Sequence, residues 1–262
     1  MWTRALLKNN AKQALRGKYG RALLLCFLLG LLDIGDVAPQ MTVQYRENMQ
    51  IIRELTTPQV WTGNQTAADN TIAELFAEEP AIFGVLAVVV LVGAVINFCW
   101  GVFVTNPLSV GRNRYFMENR QGLSPLSTVL TIFKTPYLNV VKVCLLTSLK
   151  IFLGSLIVVP GIYWSYCYRQ VPYLLAENPY MTTARAMELS KQMMEGEKWN
   201  TFVLELSFFG WMLLCAFTFG IGFLFLEPYM QATYAELYAA LRAKVLAEGD
   251  TDSSELGGFV TH

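Results

Sequence analysis

Residues 190–225 read SKQMMEGEKWNTFVLELSFFGWMLLCAFTFGIGFLF. The first ten of these carry Lys191, Glu195, Glu197 and Lys198; the rest carry Glu205 alone. No run of turn residues separates the two compositions. A soluble domain would change so sharply only across a linker, whereas a chain entering a bilayer must exchange water for hydrocarbon within about one helical turn. The junction at Lys198 and Trp199 therefore reads as a membrane surface, and 202–226 as a span ending at Glu227 and Pro228.

Composition agrees. Apolar residues make up 54% of the 262-residue chain and charged residues only 15%, against about 25% in a soluble domain. Net charge is zero, so no global surface for nucleic acid or another polyanion is indicated. The five cysteines, Cys26, Cys99, Cys144, Cys167 and Cys215, sit in apolar runs without CxxC spacing and read as small buried hydrophobes. The only histidine is His262, which leaves no basis for a histidine metal site or a histidine base. Neither a Walker loop, a GxSxG elbow, an HExxH pair nor a dinucleotide fingerprint occurs. Gly220 and Gly222 fall inside an apolar run, where close helix packing is their expected use. No catalytic residue, cofactor or metal is expected.

Working outward, the first 21 residues hold Arg4, Lys8, Lys12, Arg16, Lys18 and Arg21 and no acid. With Leu7, Ala11, Ala14 and Leu15 at helical spacing, segment 1–21 reads as a basic amphipathic helix on an anionic lipid leaflet. The apolar run 22–38 reads as a retained first span; Asp33, Asp36 and the missing small-residue cleavage site argue against a signal peptide. Loop 39–79 is acidic and poor in Lys and Arg, which places it outside the cytosol and the N-terminus inside. Asn64 matches a glycosylation acceptor, a signal with meaning only in a eukaryotic secretory pathway.

Segment 81–105 is the clearest span, since it contains no charge and can cross about 30 Å of hydrocarbon. Arg112, Arg114, Arg120 and Lys134 follow it, as an inside loop requires. Segment 138–159 reads as a span stopped by Pro160 and Gly161. The aromatic run 162–176 is either a short span or an interfacial helix, and 229–246 is either a span or an amphipathic packing helix. Residues 179–195 read as a membrane-surface helix, with Arg185, Glu188, Gln192 and Glu195 opposite Ala186, Leu189 and Met193. Lys191, Lys198 and Trp199 belong to the same surface. The acidic tail 247–262 is expected to be disordered. The expected fold is all-α: a membrane domain over 22–246 forming a multi-pass transmembrane bundle of about six helices, at least four spanning, with interfacial amphipathic helices.

Three charges fall at depth in that scheme: Lys150, Arg169 and Glu236. Each would cost about 2.5–3.5 kcal/mol if left alone in hydrocarbon, so an intramembrane network of the three is a candidate site.

Several ordered blocks, PLSVGRNRYF (107–116), VPGI (159–162), SKQMMEGEKW (190–199), LSFFGW (206–211), GIG (220–222) and PY (228–229), resemble the bacterial integral membrane family known as domain of unknown function 975. The resemblance covers nearly the whole chain except 39–79. It implies a multi-pass helical protein of the bacterial cytoplasmic membrane, chiefly in Gram-positive lineages, and no particular activity. The C-terminal half is also similar in outline to helical membrane regions attached to some glycerophosphodiester phosphodiesterases, without their catalytic part. The expected function is a non-enzymatic scaffold or regulatory component, partnered by the bilayer, anionic lipid and a membrane protein. The alternative is a transporter or pore for a small solute or lipid, with a polar path lined by Lys150, Arg169 and Glu236.

Overall fold

The computed structural model describes residues 2–31, 80–122, 124–134, 136–218 and 220–257. The loop 39–79, the far part of the 22–38 run and the last five residues of the tail lie outside the described residues. In chain order the helices are α1 (Arg4–Leu15), α2 (Tyr19–Leu31), α3 (Pro80–Trp100), a π-helical turn (Gly101–Thr105), α4 (Asn106–Gln121), a 3₁₀ helix (Leu126–Phe133), α5 (Tyr137–Ser155), α6 (Val158–Cys167), α7 (Val171–Glu177), α8 (Thr183–Met193), α9 (Lys198–Phe217) and α10 (Ile221–Glu248). Among the described residues there is no strand, so the all-helical expectation stands.

The chain divides into two compact units, Met1–Leu31 together with Val102–His262, and Leu32–Gly101. The smaller contributes α3, an uncharged helix of 21 residues.

Three helical runs among the described residues are long and apolar enough to cross a membrane: Val88–Gln121, Tyr137–Ser155 and Lys198–Phe217. Tyr19–Leu31 is apolar but shorter. Apolar side chains along two of these runs, including Phe152, Leu153, Leu206, Phe209, Leu214 and Phe217, point away from the core and are exposed. Water would penalise so much uncovered apolar surface, whereas lipid does not.

In the larger unit, α10 is the central helix. It packs against α1, α4, α8 and α9, and its buried residues (Met230, Ala232, Ala235, Leu237, Tyr238, Leu241) lie on more than one face. α1 is started by the Thr3 hydroxyl, which accepts from the Leu6 amide at 3.2 Å. Its Leu7, Ala11 and Leu15 are buried against α10 and α4. The apolar face expected to lie on a leaflet therefore closes on protein. α8 does the same: the Thr182 hydroxyl caps it, and Ala186, Leu189, Ser190 and Met193 are buried against α5, α6, α7 and α10.

Several boundaries differ from the sequence reading. α5 ends at Ser155, and Pro160 sits in the first turn of α6 rather than stopping a span. There its missing N–H leaves no hydrogen bond unmade. Gly161 instead lets two backbones approach, since a Cβ there would lie 2.5 Å from the Ser155 Cα. The 162–176 run is two helices, α6 and α7, separated by a turn at Tyr168, and does not form one rod. Likewise, the break expected at Pro228 occurs earlier, at Gly220, whose φ of 84° is left-handed. Pro228 lies within α10, removing one hydrogen bond in a helix held by packing on several sides.

The acidic tail is corrected as well. Gly249, with φ of 80°, ends α10 and turns the chain back. Leu256 is then fully buried, and its carbonyl accepts from Arg242. The segment up to residue 257 is docked, because apolar Leu256 and charged Glu255 both find partners on the helices.

Candidate functional site

The structure does not join Lys150, Arg169 and Glu236. Glu236, midway along α10 and 6% exposed at its side chain, is held by Arg120 from the last turn of α4. Arg120 Nε donates to Oε1 at 2.5 Å and Nη2 to Oε2 at 3.1 Å, a bidentate pair. The Asn10 amide of α1 adds a longer contact at 3.4 Å. One carboxylate thus ties together α1, α4 and α10.

Arg169 is paired instead with Glu205 of α9, and its guanidinium lies 4.8 Å from the centre of the Tyr234 ring. The Tyr166 hydroxyl donates to the same Glu205 at 2.5 Å. Lys150 has its ammonium 4.9 Å from the centre of the Tyr168 ring, a cation–π contact.

A further buried charge escaped the sequence reading. Glu177, the last residue of α7, has a side chain that is 0% exposed. It accepts the Tyr238 hydroxyl at 2.7 Å and Arg242 Nε at 2.9 and 3.1 Å. Tyr238 and Arg242 stand one helical turn apart on α10, so their shared face was visible in the sequence; their acceptor, more than sixty residues away, was not. From the sequence Arg120 is only one of the positive charges of an inside loop.

Beside these pairs lies a polar cavity of about 230 Å³, lined among others by Arg112, Asn113, Arg169, Gln170, Gln231 and Tyr234. Arg112 reaches Glu227 at 3.6 Å, and Gln231 donates to the same carboxylate at 2.6 Å. Arg112 Nε and Gln170 Oε1 are buried without a hydrogen-bond partner. Of the three expected residues this cavity contains only Arg169.

On the outer face of α8, Arg185 donates to both oxygens of Glu255 at 2.8 and 2.9 Å, to the Asp250 carbonyl at 2.7 Å, and to Glu188 at 3.4 Å. Hydrogen bonds from Arg185 hold the Glu255 carboxyl below its ordinary range, and the same bonds raise Arg185. Lys191 is exposed. Lys198 sits 5.2 Å from the Tyr163 ring and donates to the Met194 carbonyl at 3.3 Å. Trp199 is exposed and packs on Phe202 with ring centres 5.3 Å apart. Lys198, Trp199, Phe202 and Tyr163 bound a mostly apolar hollow of about 470 Å³ beside Val159 and Ile162.

All five cysteines are free thiols, with Cys99 exposed and the others buried. Among the described residues no group of His, Cys, Asp and Glu could hold a metal ion.

The chain belongs to the family described as protein of unknown function (DUF975), whose model matches residues 1–245 and so includes the 39–79 loop. No curated protein and no solved structure matches it.

Proposed function

We propose that this DUF975 chain is a multi-pass component of the bacterial cytoplasmic membrane that works without catalysis, as a scaffold or regulatory subunit for another membrane protein. Three helices of sufficient length and apolarity support the membrane part of this reading. The family resemblance supports the bacterial membrane, and the acid-free basic N-terminus supports a cytosolic N-terminus. One observation carries the scaffold role. The buried carboxylates Glu236 and Glu177 are closed against Arg120 and Arg242 within the protein, which supports a role for these charges in holding helices together.

Reconstitution of the full chain in sealed vesicles is the test. Fluxes of protons, alkali cations and small anions should equal those of empty vesicles, while a fixed membrane-protein partner should co-purify from cross-linked cells and be lost on Tyr180→Ala with Trp199→Ala. Those two residues are the exposed aromatics flanking α8. Flux above background would favour a transporter. The cavity holding Arg112 and Arg169 is the observation that keeps that second reading, and loss of the flux on Arg169→Gln would establish it.

A further inference from the structure

The α1 helix and the α9–α10 hairpin enclose a groove of about 790 Å³ that none of the ion pairs above uses. Its two walls differ in chemistry. From α1 come Lys8 and Lys12, four residues and so about 6 Å apart along the axis, and Arg16 follows at the helix's C-terminal cap. Facing them are Trp211 of α9 and Phe225 and Leu226 of α10. No Asp or Glu lies among the lining residues, and among the described residues no carboxylate forms an ion pair with Lys8, Lys12 or Arg16.

The groove is a built feature. Lys8 Nζ is 4.3 Å from the Phe208 ring centre and 3.5 Å from the Ser207 carbonyl oxygen, so the ammonium is aimed over the hairpin. Lys12 Nζ sits 5.9 Å from the Tyr229 ring. At the hairpin, Gly222 allows α10 to approach α9; a Cβ there would be 2.8 Å from Cys215 Sγ. The left-handed Gly17, with φ of 75°, turns the chain at one end, where the Tyr19 hydroxyl donates to the Phe225 carbonyl at 2.5 Å. Burial, then the nearby Arg4 and Lys12, lowers the Lys8 ammonium from its ordinary value.

Cations along one wall and aromatic and aliphatic surface along the other fit an amphiphile with a negative head. A free phosphate would leave Trp211, Phe225 and Leu226 unused. An acidic soluble peptide would have to reach a wall that continues into the exposed apolar face of α9 at Leu214 and Phe217. We propose that this groove holds one anionic glycerophospholipid, its phosphodiester against Lys8, Lys12 and Arg16 and an acyl chain along Trp211, Phe225 and Leu226. The segment expected to lie flat on a leaflet then works differently: its apolar face is packed on protein, and its cations select a single lipid. This rests on the membrane reading above.

The full chain, purified in mild detergent with equal amounts of phosphatidylglycerol and phosphatidylcholine of identical acyl chains, is examined by native mass spectrometry. One phosphatidylglycerol per chain should be retained, with at least tenfold preference. The preference should fall to near parity in K8Q/K12Q/R16Q and survive in K8R/K12R. Equal retention of both lipids by the wild-type chain overturns the proposal, with no variant needed. Displacement of the lipid by millimolar inorganic phosphate overturns the choice of a lipid occupant. A photo-reactive benzoylphenylalanine replacing Trp211 should give a lipid adduct; cross-links to residues 32–101 instead would mean that the chain's own other unit fills the groove. A chain that stays monodisperse without detergent would sink the membrane reading itself, a result separable from loss of lipid preference.

Discussion

Arg120 and Glu236, 116 residues apart in the chain, meet through two parallel hydrogen bonds between α4 and the middle of α10. Breaking a buried pair leaves an uncompensated charge, which costs about 3–5 kcal/mol; Arg120 is 25% exposed, so the cost of Glu236→Ala should fall to about 2–3 kcal/mol. Thermal unfolding in detergent checks this. The double change R120E/E236R should recover at least half of the loss, and strictly additive single losses would show that the two side chains are not coupled.

Glu177 is the more deeply buried carboxylate, with Tyr238 and Arg242 as its donors. Glu177→Ala should cost about 3 kcal/mol or more, because both donors lose their acceptor. Tyr238→Phe removes one hydrogen bond to a charged group and should cost about 1.5–3 kcal/mol. Denaturant titration of the two variants, compared with wild type, gives the order; a Tyr238→Phe loss larger than that of Glu177→Ala would contradict it.

Gly111 marks where α4 and the 3₁₀ helix touch. A Cβ there would stand 2.2 Å from the Val129 carbonyl oxygen, a backbone atom that cannot turn aside. Gly111→Ala should therefore destabilise by about 3 kcal/mol, at the upper end for an overpacked core. Gly210, in α9, has no neighbour within 4 Å of its would-be Cβ, and Gly210→Ala should stabilise by up to about 1 kcal/mol. Melting temperatures moving in opposite directions are the expected signature.

Docking of the C-terminal segment should depend on pH. The folded Glu255 carboxyl titrates below its ordinary value because Arg185 and then Thr251 donate to it. A depressed folded value means that the contact's contribution is fully present above the ordinary carboxylate range and is lost as pH falls through the depressed value. Limited proteolysis should find the bond after Gly249 protected at pH 7 and increasingly open as pH falls below the ordinary carboxylate range. Glu255→Gln should open it at neutral pH too, at a stability cost of about 1 kcal/mol for so accessible a pair.

Much of the architecture was legible along the chain because it follows from local pattern. The uncharged run beginning near residue 81 could only be an apolar helix, and Ala186, Leu189 and Met193 at helical spacing marked the buried face of α8. Pro160 and Pro228 misled, because proline stops a helix only where its missing donor was needed; the first fell in an opening turn and the second in a helix packed on several sides. Gly220, inside an apolar run, has the sequence pattern of a packing residue. Only its backbone conformation shows that it ends α9's run and starts α10.

The amino-acid order by itself determined that the chain is helical, which stretches suit hydrocarbon, and that its N-terminus is a row of cations, since each property depends on residues within one or two turns of one another. Tertiary structure alone decided which charges meet: Arg120 with Glu236, Arg242 with Glu177, Arg185 with Glu255 and Arg169 with Glu205. A buried charge can take any opposite charge that packing brings within reach, and packing of apolar faces, rather than spacing along the chain, sets that choice. The same packing turned α1 from a helix lying on a surface into one wall of a groove.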